Sequence, residues 1–424
     1  MSSVSSHGFV LHAFVDHLKE LRYIQNDPWE QFPFVTGFLL QVVFVLISFG
    51  IEYILSRQSK RMNYNDSRNK VLRRVAMVLH HTNAHMSLLV PLWIVWNFID
   101  KPAIGGVLLL HATITWMKLL SYILANEDYR IMHQNTKNTS ENSMLTLIED
   151  LDPDDVDIRY PDNITLRNIL YFWFCPSLTY QIAYPKTPRV RWWKVSGILM
   201  RLVICLSIFT FVAAQVVTPV LSGLVQDLEA SGGSYTASML FDYWLKLAIA
   251  NTYLWLLFFY GYFHLYLNLF GELLRFGDRV FYRDWWNVLD VGAYWRLWNL
   301  PVHFWLVRHI YFPCLRHMNK TVANFIVFLL SAIMHEVLVS VPFHMIRPWS
   351  FIGMMMQIPL VAMTKIASKK SPTLGNMLFW VSFCLIGQPM AALLYTVDYQ
   401  YAQKQIQTLA MQCASGESRG SCAS

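Results

Sequence analysis

Eight stretches of this 424-residue chain are each long and apolar enough to carry a helix across a bilayer: 34–55, 75–98, 104–124, 198–222, 246–270, 321–343, 351–367 and 375–398. A hydrocarbon core about 30 Å thick needs roughly 20 mostly apolar residues in a helix. Within that core every backbone N–H and C=O must be satisfied by the chain itself, which leaves only helices or closed barrels. Runs of this length predict helices, so the expected fold class is all-α, a polytopic transmembrane bundle. The 351–367 run is the shortest and carries Gln357 and Pro359; with 375–398 it reads as a tight hairpin. Composition agrees: 55% of residues are hydrophobic and 14% charged, against ~25% charged in a soluble domain. Disordered, collagen-like, coiled-coil and disulfide-scaffold classes are excluded. The first residues form no basic-then-apolar leader, so insertion is expected to rely on the first span.

The net charge of +7 belongs to membrane topology rather than to nucleic acid, because basic residues gather on cytoplasmic loops. Segment 56–74 holds Arg57, Lys60, Arg61, Arg68, Lys70, Arg73 and Arg74 against Asp66 and reads as cytoplasmic. Counting spans from there places 1–33, 223–245 and the C-terminal tail in the lumen, and 125–197 and 271–320 in the cytoplasm. Three regions follow: a short polar segment 1–33, a transmembrane catalytic domain 34–400 that includes both long cytoplasmic segments, and a polar tail 401–424. The glycosylation sequons at Asn65, Asn138, Asn163 and Asn319 all fall on the cytoplasmic side, where glycan is not expected. The acidic run Glu149–Asp157 reads as mobile. Four of six cysteines (Cys175, Cys205, Cys314, Cys384) lie in apolar or membrane-edge sequence with no disulfide or metal spacing. Cys413 and Cys422 in the tail are free to pair, though nothing local demands it.

Candidate chemistry sits where ionisable groups are expensive. His335 and Glu336 stand side by side about two-thirds of the way along the 321–343 span, and groups at that depth face a protein interior or a cavity. Helical spacing puts Ser331 and His335 on one stripe, with Glu336 and Ser340 on the next. A neutral imidazole suits the deprotonation of an alcohol; the plainer reading is a His–Glu pair fastening two helices. Upstream, Phe281-Tyr282-Arg283-Asp284-Trp285-Trp286-Asn287 reads as an interfacial amphipathic helix, with Phe281 and Trp285 on one face and Arg283 and Asn287 on the polar side. In 294–305, Pro301 breaks the backbone pattern and leaves carbonyls near 297 free, with Asn299 and His303 about one turn apart. Both serve either a substrate or that broken backbone. His81 and His85 have the spacing of metal ligands, but no carboxylate or thiolate follows, so no metal is expected. His111 and His264 read as inter-helix hydrogen-bonders. Gln388 is a costly polar group facing inward. Phosphate loops and serine-nucleophile elbows are absent from the sequence.

These stretches resemble the membrane-bound O-acyltransferases, in particular their acyl-CoA:diacylglycerol acyltransferase branch. The 281–287 sequence is similar to the signature that this branch shares with sterol O-acyltransferases, and His335 matches the family's catalytic histidine. Residues 298–303, 335–342 and 353–359 look like the diacylglycerol branch, and 160–165 and 176–180 extend the likeness; about residues 100–400 are covered. The resemblance implies the family fold, about eight spans with interfacial helices around a reaction chamber, and esterification of diacylglycerol by acyl-CoA to give triacylglycerol. His335 would be the general base, Asn299 its polar partner near the thioester, and Glu336 a supporting group. Trp298, His303, Tyr311, Lys320, Ser331, Gln357 and Gln388 would line the acyl-CoA and acceptor site. Acyl-CoA is a substrate here and no cofactor is implied. Arg308, Arg316 and Lys320 either meet its phosphates or only set topology. An endoplasmic reticulum location and a homodimer or homotetramer are implied as well.

Two departures stand out. The family has nine spans after a long basic tail, whereas this chain shows eight after a short polar start, as either a naturally shortened form or an incomplete start. Asn324, one turn below Lys320, stands where a basic residue is expected. Rival functions are a sterol or long-chain-alcohol acyltransferase of the same fold and, from another class, a transporter or channel using His335, Glu336 and Gln388.

Overall fold

The structure, a computed structural model, describes residues 28–61, 67–138, 159–232 and 236–415. Those residues form an all-helical assembly whose only β pairing is an isolated bridge between Lys186 and Phe276. Helices α1 (Pro28–Arg61), α2 (Ser67–Phe98) and α3 (Pro102–Asn138) pack mutually as a three-helix unit. After the short α4 (Leu166–Phe174) come α5 (Trp192–Val212) and α6 (Thr218–Ala230), joined by a π-helical turn. Another π turn, Tyr260–Tyr266, joins α7 (Ala237–Phe259) to α8 (Leu267–Leu273). The segment that follows carries α9 (Val291–Leu297), α10 (Leu300–Leu306) and α11 (Phe312–Leu315), then α12 (Lys320–Ser340). The chain closes with α13 (Trp349–Met355), α14 (Gln357–Lys370), α15 (Pro372–Phe379) and α16 (Gln388–Ser415), the last two bridged by the π turn Trp380–Gly387.

Seven of these runs are long and apolar enough to cross a membrane: Phe32–Gln58, Pro102–His133, Trp192–Ala230, Ala237–Leu273, Lys320–Ser340, Trp349–Lys370 and Pro372–Tyr399. The eighth expected span, 75–98, lies within the 32-residue α2, whose His80, His81, Asn83 and His85 make it too polar for that class. The 351–367/375–398 hairpin forms with Ser371 as the joint between α14 and α15. The acidic run Glu149–Asp157 lies outside the described residues, and so do Asn65 and the Cys422 half of the tail pair. Cys175, Cys205 and Cys314 are free thiols.

Many apolar side chains lie exposed on the helices, and several buried charges are held by long-range bonds. Glu52 on α1 is fully buried and takes both carboxylate oxygens to Arg130 Nη2 at 3.0 and 2.9 Å. Tyr160 donates to it at 3.1 Å, and His80 Nε2 lies 3.4 Å away. One carboxylate thus ties α1, α2, α3 and the 159–164 turn together. Lys118 on α3 sends its ammonium to the carbonyls of Phe172, Trp173 and Cys175 at 2.8, 2.8 and 2.6 Å, closing the C-terminus of α4. Last-turn carbonyls carry partial negative charge, so a cation there is favourable. Glu272, also buried, is gripped by Arg191 and Arg279. Here the 184–188 stretch lies against 275–277: Gly277 N–H donates to Pro185 O, and a Cβ at Gly277 would come within 2.7 Å of that oxygen. Only glycine fits so close an approach.

Candidate active site

His335 lies on α12, whose N-terminus is capped by Asn319 accepting from Val322 N–H at 2.9 Å. The imidazole Nδ1 sits 2.7 Å from the Ser331 carbonyl and 3.4 Å from Ser331 Oγ. A carbonyl only accepts, so in the neutral ring Nδ1 carries the hydrogen and Nε2 keeps a free lone pair. Backbone geometry therefore sets the tautomer that a general base needs. The residue keeps some accessible surface, and Nε2 makes no hydrogen bond among the described residues.

Glu336 does not contact this ring. It turns about 100° away on the helix and is held by the hydroxyls of Ser340 and Tyr395 and by Phe351 N–H, the last at 2.9 Å. Tyr395 in turn accepts Ser350 N–H at 3.0 Å. The carboxylate therefore caps the start of α13 and fastens α12 to α13 and α16, which is the role of a positioning group.

The signature segment differs from expectation. Residues 281–284 have no regular secondary structure and only Trp285–Asn287 make a single 3₁₀ turn, so no amphipathic helix forms. Pairing between segments outweighs the helical spacing of its aromatics. Arg283 N–H donates to Leu297 O at 2.8 Å, and Leu300 N–H donates to Phe281 O at 3.0 Å. Phe281 and Trp285 are buried, the Tyr282 hydroxyl is hydrogen-bonded to His264 Nδ1 at 2.7 Å, and Trp286 is exposed. The signature thus clamps the corner between α9 and α10, and the carbonyl expected to be free at 297 is taken by Arg283. Asn299 occupies that corner as the N-cap of α10, its Oδ1 accepting from Val302 N–H at 3.2 Å. Its Nδ2 has no hydrogen-bond partner among the described residues, and no hydrogen bond joins Asn299 to His335. His303 follows one turn later, with Trp298 stacked on Tyr294 at 5.7 Å on the corner's other side. Burial first, and then the Arg296 charge, lowers the His303 pKa below the ordinary imidazole value.

Other expected residues divide into two groups. Gln357 opens α14 with Nε2 on Gly353 O at 3.1 Å, while its Oε1 is buried without a partner. Gln388 is half-buried at the end of the Trp380–Gly387 π turn, and Tyr311 ends the Val307–Tyr311 one. Rare π turns recur at functional sites because the extra residue re-aims side chains. Lys320 is exposed at the very start of α12, four turns from His335, and does not join them. His85 Nδ1 bonds the His81 carbonyl at 2.7 Å, and among the described residues no three potential ligands gather as a metal site.

Sequence reading missed a polar relay below α10. His309 Nε2 meets Ser121 Oγ at 2.8 Å, and Ser121 accepts from Tyr180 N–H at 2.8 Å. Arg308 reaches Tyr180 O at 3.2 Å, and Asn163 joins Asn126 to the Tyr180 hydroxyl at 3.0 Å each. Burial, and secondarily Arg308, lowers the His309 pKa to about 4.

Comparison with known proteins identifies the family of the chain. The chain matches the membrane-bound O-acyltransferase (MBOAT) family over residues 38–396. It is 40% identical to diacylglycerol O-acyltransferase 1C of Glycine max over 328 residues, 76% of this chain and 60% of that protein. It is 38% identical to diacylglycerol O-acyltransferase 1 of Arabidopsis thaliana over 327 residues, 76% of this chain and 58% of that one. The protein of that name from Dictyostelium discoideum is 36% identical over 326 residues, 76% of this chain and 50% of its own length. The chain spans less than two-thirds of the length of these relatives. With seven helices among the described residues long and apolar enough to cross a membrane, and with this match, the chain is a multi-pass membrane protein that belongs to the membrane-bound O-acyltransferase family.

Proposed function

We propose that the chain transfers the acyl group of acyl-CoA to the free hydroxyl of diacylglycerol, making triacylglycerol, with His335 as general base. The observation that carries this reading is the 2.7 Å contact of His335 Nδ1 with the Ser331 carbonyl, which makes Nδ1 the protonated nitrogen and leaves Nε2 its lone pair. Nε2 takes the hydroxyl proton as the oxygen attacks the thioester carbonyl. The carbonyl oxygen becomes an oxyanion, and the unpartnered Asn299 Nδ2 is the donor that meets it. Collapse breaks the C–S bond, and the CoA thiolate recovers the proton from Nε2. No covalent acyl-enzyme is required. The buried, unpartnered Gln357 Oε1 supplies an acceptor for a substrate O–H or N–H, and Trp298, His303, Tyr311, Ser331 and Gln388 line the same space.

The likeness to relatives named diacylglycerol O-acyltransferase favours a glycerolipid acceptor over a sterol. The endoplasmic reticulum membrane, a homodimer or homotetramer, and contact of Lys320 with the CoA phosphates complete the proposal. An acceptor panel tests it. Purified protein in lipid, given labelled acyl-CoA and either diacylglycerol, cholesterol or a long-chain alcohol, is expected to put most label into triacylglycerol. Label confined to sterol ester or wax ester would overturn the acceptor assignment.

A further inference from the structure

Five indole N–H groups among the described residues find acceptors. Trp173 donates to Thr115 Oγ1, Trp244 to Leu385 O, Trp305 to Met117 O, Trp349 to Asp398 Oδ2 and Trp380 to Trp286 O, at 2.8–3.3 Å. Four indole nitrogens are buried without a hydrogen-bond partner: Trp116, Trp255, Trp285 and Trp295. Trp116 and Trp285 are 8% and 1% exposed and packed into closed apolar cores. Trp255 and Trp295 differ: their nitrogens are buried, yet each ring keeps accessible surface.

These two belong to different elements, α7 and α9, and converge on the same neighbours. Both rings pack on Trp298, at 5.5 and 6.0 Å, and on Phe383, at 6.2 and 6.1 Å. Trp298 precedes Asn299, and Phe383 lies in the π turn that presents Gln388. Trp295 also rests on Phe328 at 6.4 Å. Phe328 is seven residues before His335 on α12, hence on the same helical stripe and about 10 Å along the axis. Two unpartnered donors therefore meet in one aromatic cluster, which Trp295 joins to α12 through Phe328 and Trp298 joins to Asn299. An indole N–H only donates, so its partner must be an acceptor. Within a dry aromatic wall such a bond is stronger than in water, and an unmade one is costly.

We propose that Trp255 and Trp295 are positioning residues whose indole N–H groups take an acyl carbonyl oxygen of a bound lipid substrate. The carbonyl comes from an ester of the diacylglycerol or from the thioester and pantetheine arm of acyl-CoA; the inference rests on the functional reading above. It explains how an acceptor with few polar atoms is oriented toward Nε2 of His335.

Trp255→Phe and Trp295→Phe remove the N–H and keep a ring. KM for each substrate and kcat are measured for both variants, with diacylglycerol and with its alkyl-acyl ether analogues, which lack one ester carbonyl. At least one variant is expected to raise one KM about tenfold, the cost of one such bond. If the diacylglycerol KM rises, the variant also loses the wild-type preference for the diester over the ether, and the ester is the partner. If the acyl-CoA KM rises and that preference persists, the donor's carbonyl is the partner. Thermal stability without substrate should hold or increase, because an unpaired buried donor has gone. Unchanged KM values and unchanged ether discrimination in both variants would overturn the proposal. Should the wild type esterify no diacylglycerol, the functional reading fails separately, and the affinity of the variants for acyl-CoA still decides the role of the indoles.

Discussion

At the scale of single residues, the site separates groups that hold shape from groups left free to act. Ser331 serves His335 through its backbone carbonyl at 2.7 Å, while its hydroxyl at 3.4 Å contributes little. Ser331→Ala is therefore expected to keep kcat within about threefold of wild type, since a 3.4 Å contact is weak. Asn299 combines a cap and a free amide. Asn299→Asp preserves the Oδ1 cap but removes the N–H donor, so helix stability should persist while kcat falls by about 10²–10³; thermal denaturation and turnover measured together distinguish the two. His309 gives a pH signature. Its folded pKa of about 4 lies below the unfolded value of 6.5, so between those values the unfolded chain binds a proton that the folded one does not. Stability is full above pH 6.5 and is lost as pH falls toward 4. His309→Gln should flatten that loss in a series of melting curves.

Among elements, the 281–287 signature teaches most. Its aromatic spacing predicts a helix, yet the segment is mostly irregular because its backbone groups pair with Leu297 and Leu300 across the α9–α10 corner. Spacing within one segment carries no information about a partner strand of backbone arriving from another. Glu336 is comparable: its adjacency to His335 was visible in sequence, but its ligands Phe351 and Tyr395 come from two later helices. Tyr395→Phe should destabilise by about 1–3 kcal/mol, the cost of a buried acceptor losing its donor. A larger effect is expected at the α1–α2–α3 junction. Arg130→Met leaves Glu52 buried and uncompensated, costing about 3–5 kcal/mol, whereas pairing it with Glu52→Gln recovers much of the loss. Equal destabilisation of the single and double variants would contradict that account.

For the whole molecule, the class of fold was legible because long apolar runs admit few alternatives. The helix carrying His335 was placed to within a few residues, Lys320–Ser340 against 321–343. What was not legible is how far helices outrun the bilayer: α3 continues to Asn138 and α16 to Ser415, in sequence read as loop and tail. Polar helical extensions are stabilised by packing and local hydrogen bonds that no hydropathy profile records. The α2 helix shows the converse, a helix made polar by the His80 and Asn83 that it uses to bind α1. Asn163, one of the four sequons, is buried with its amide bonded to Asn126 and Tyr180; glycan there is incompatible with this fold, whichever side it faces.

The central claim is that an imidazole with its Nδ1 hydrogen held by Ser331 O removes the acceptor's proton. The most direct measurement is triacylglycerol formation by purified wild-type and His335→Ala protein at equal melting temperature, with labelled acyl-CoA and diacylglycerol. Loss of general-base catalysis predicts a turnover at least about 10²-fold lower in the variant. Near-wild-type turnover in a folded His335→Ala protein would contradict the mechanism.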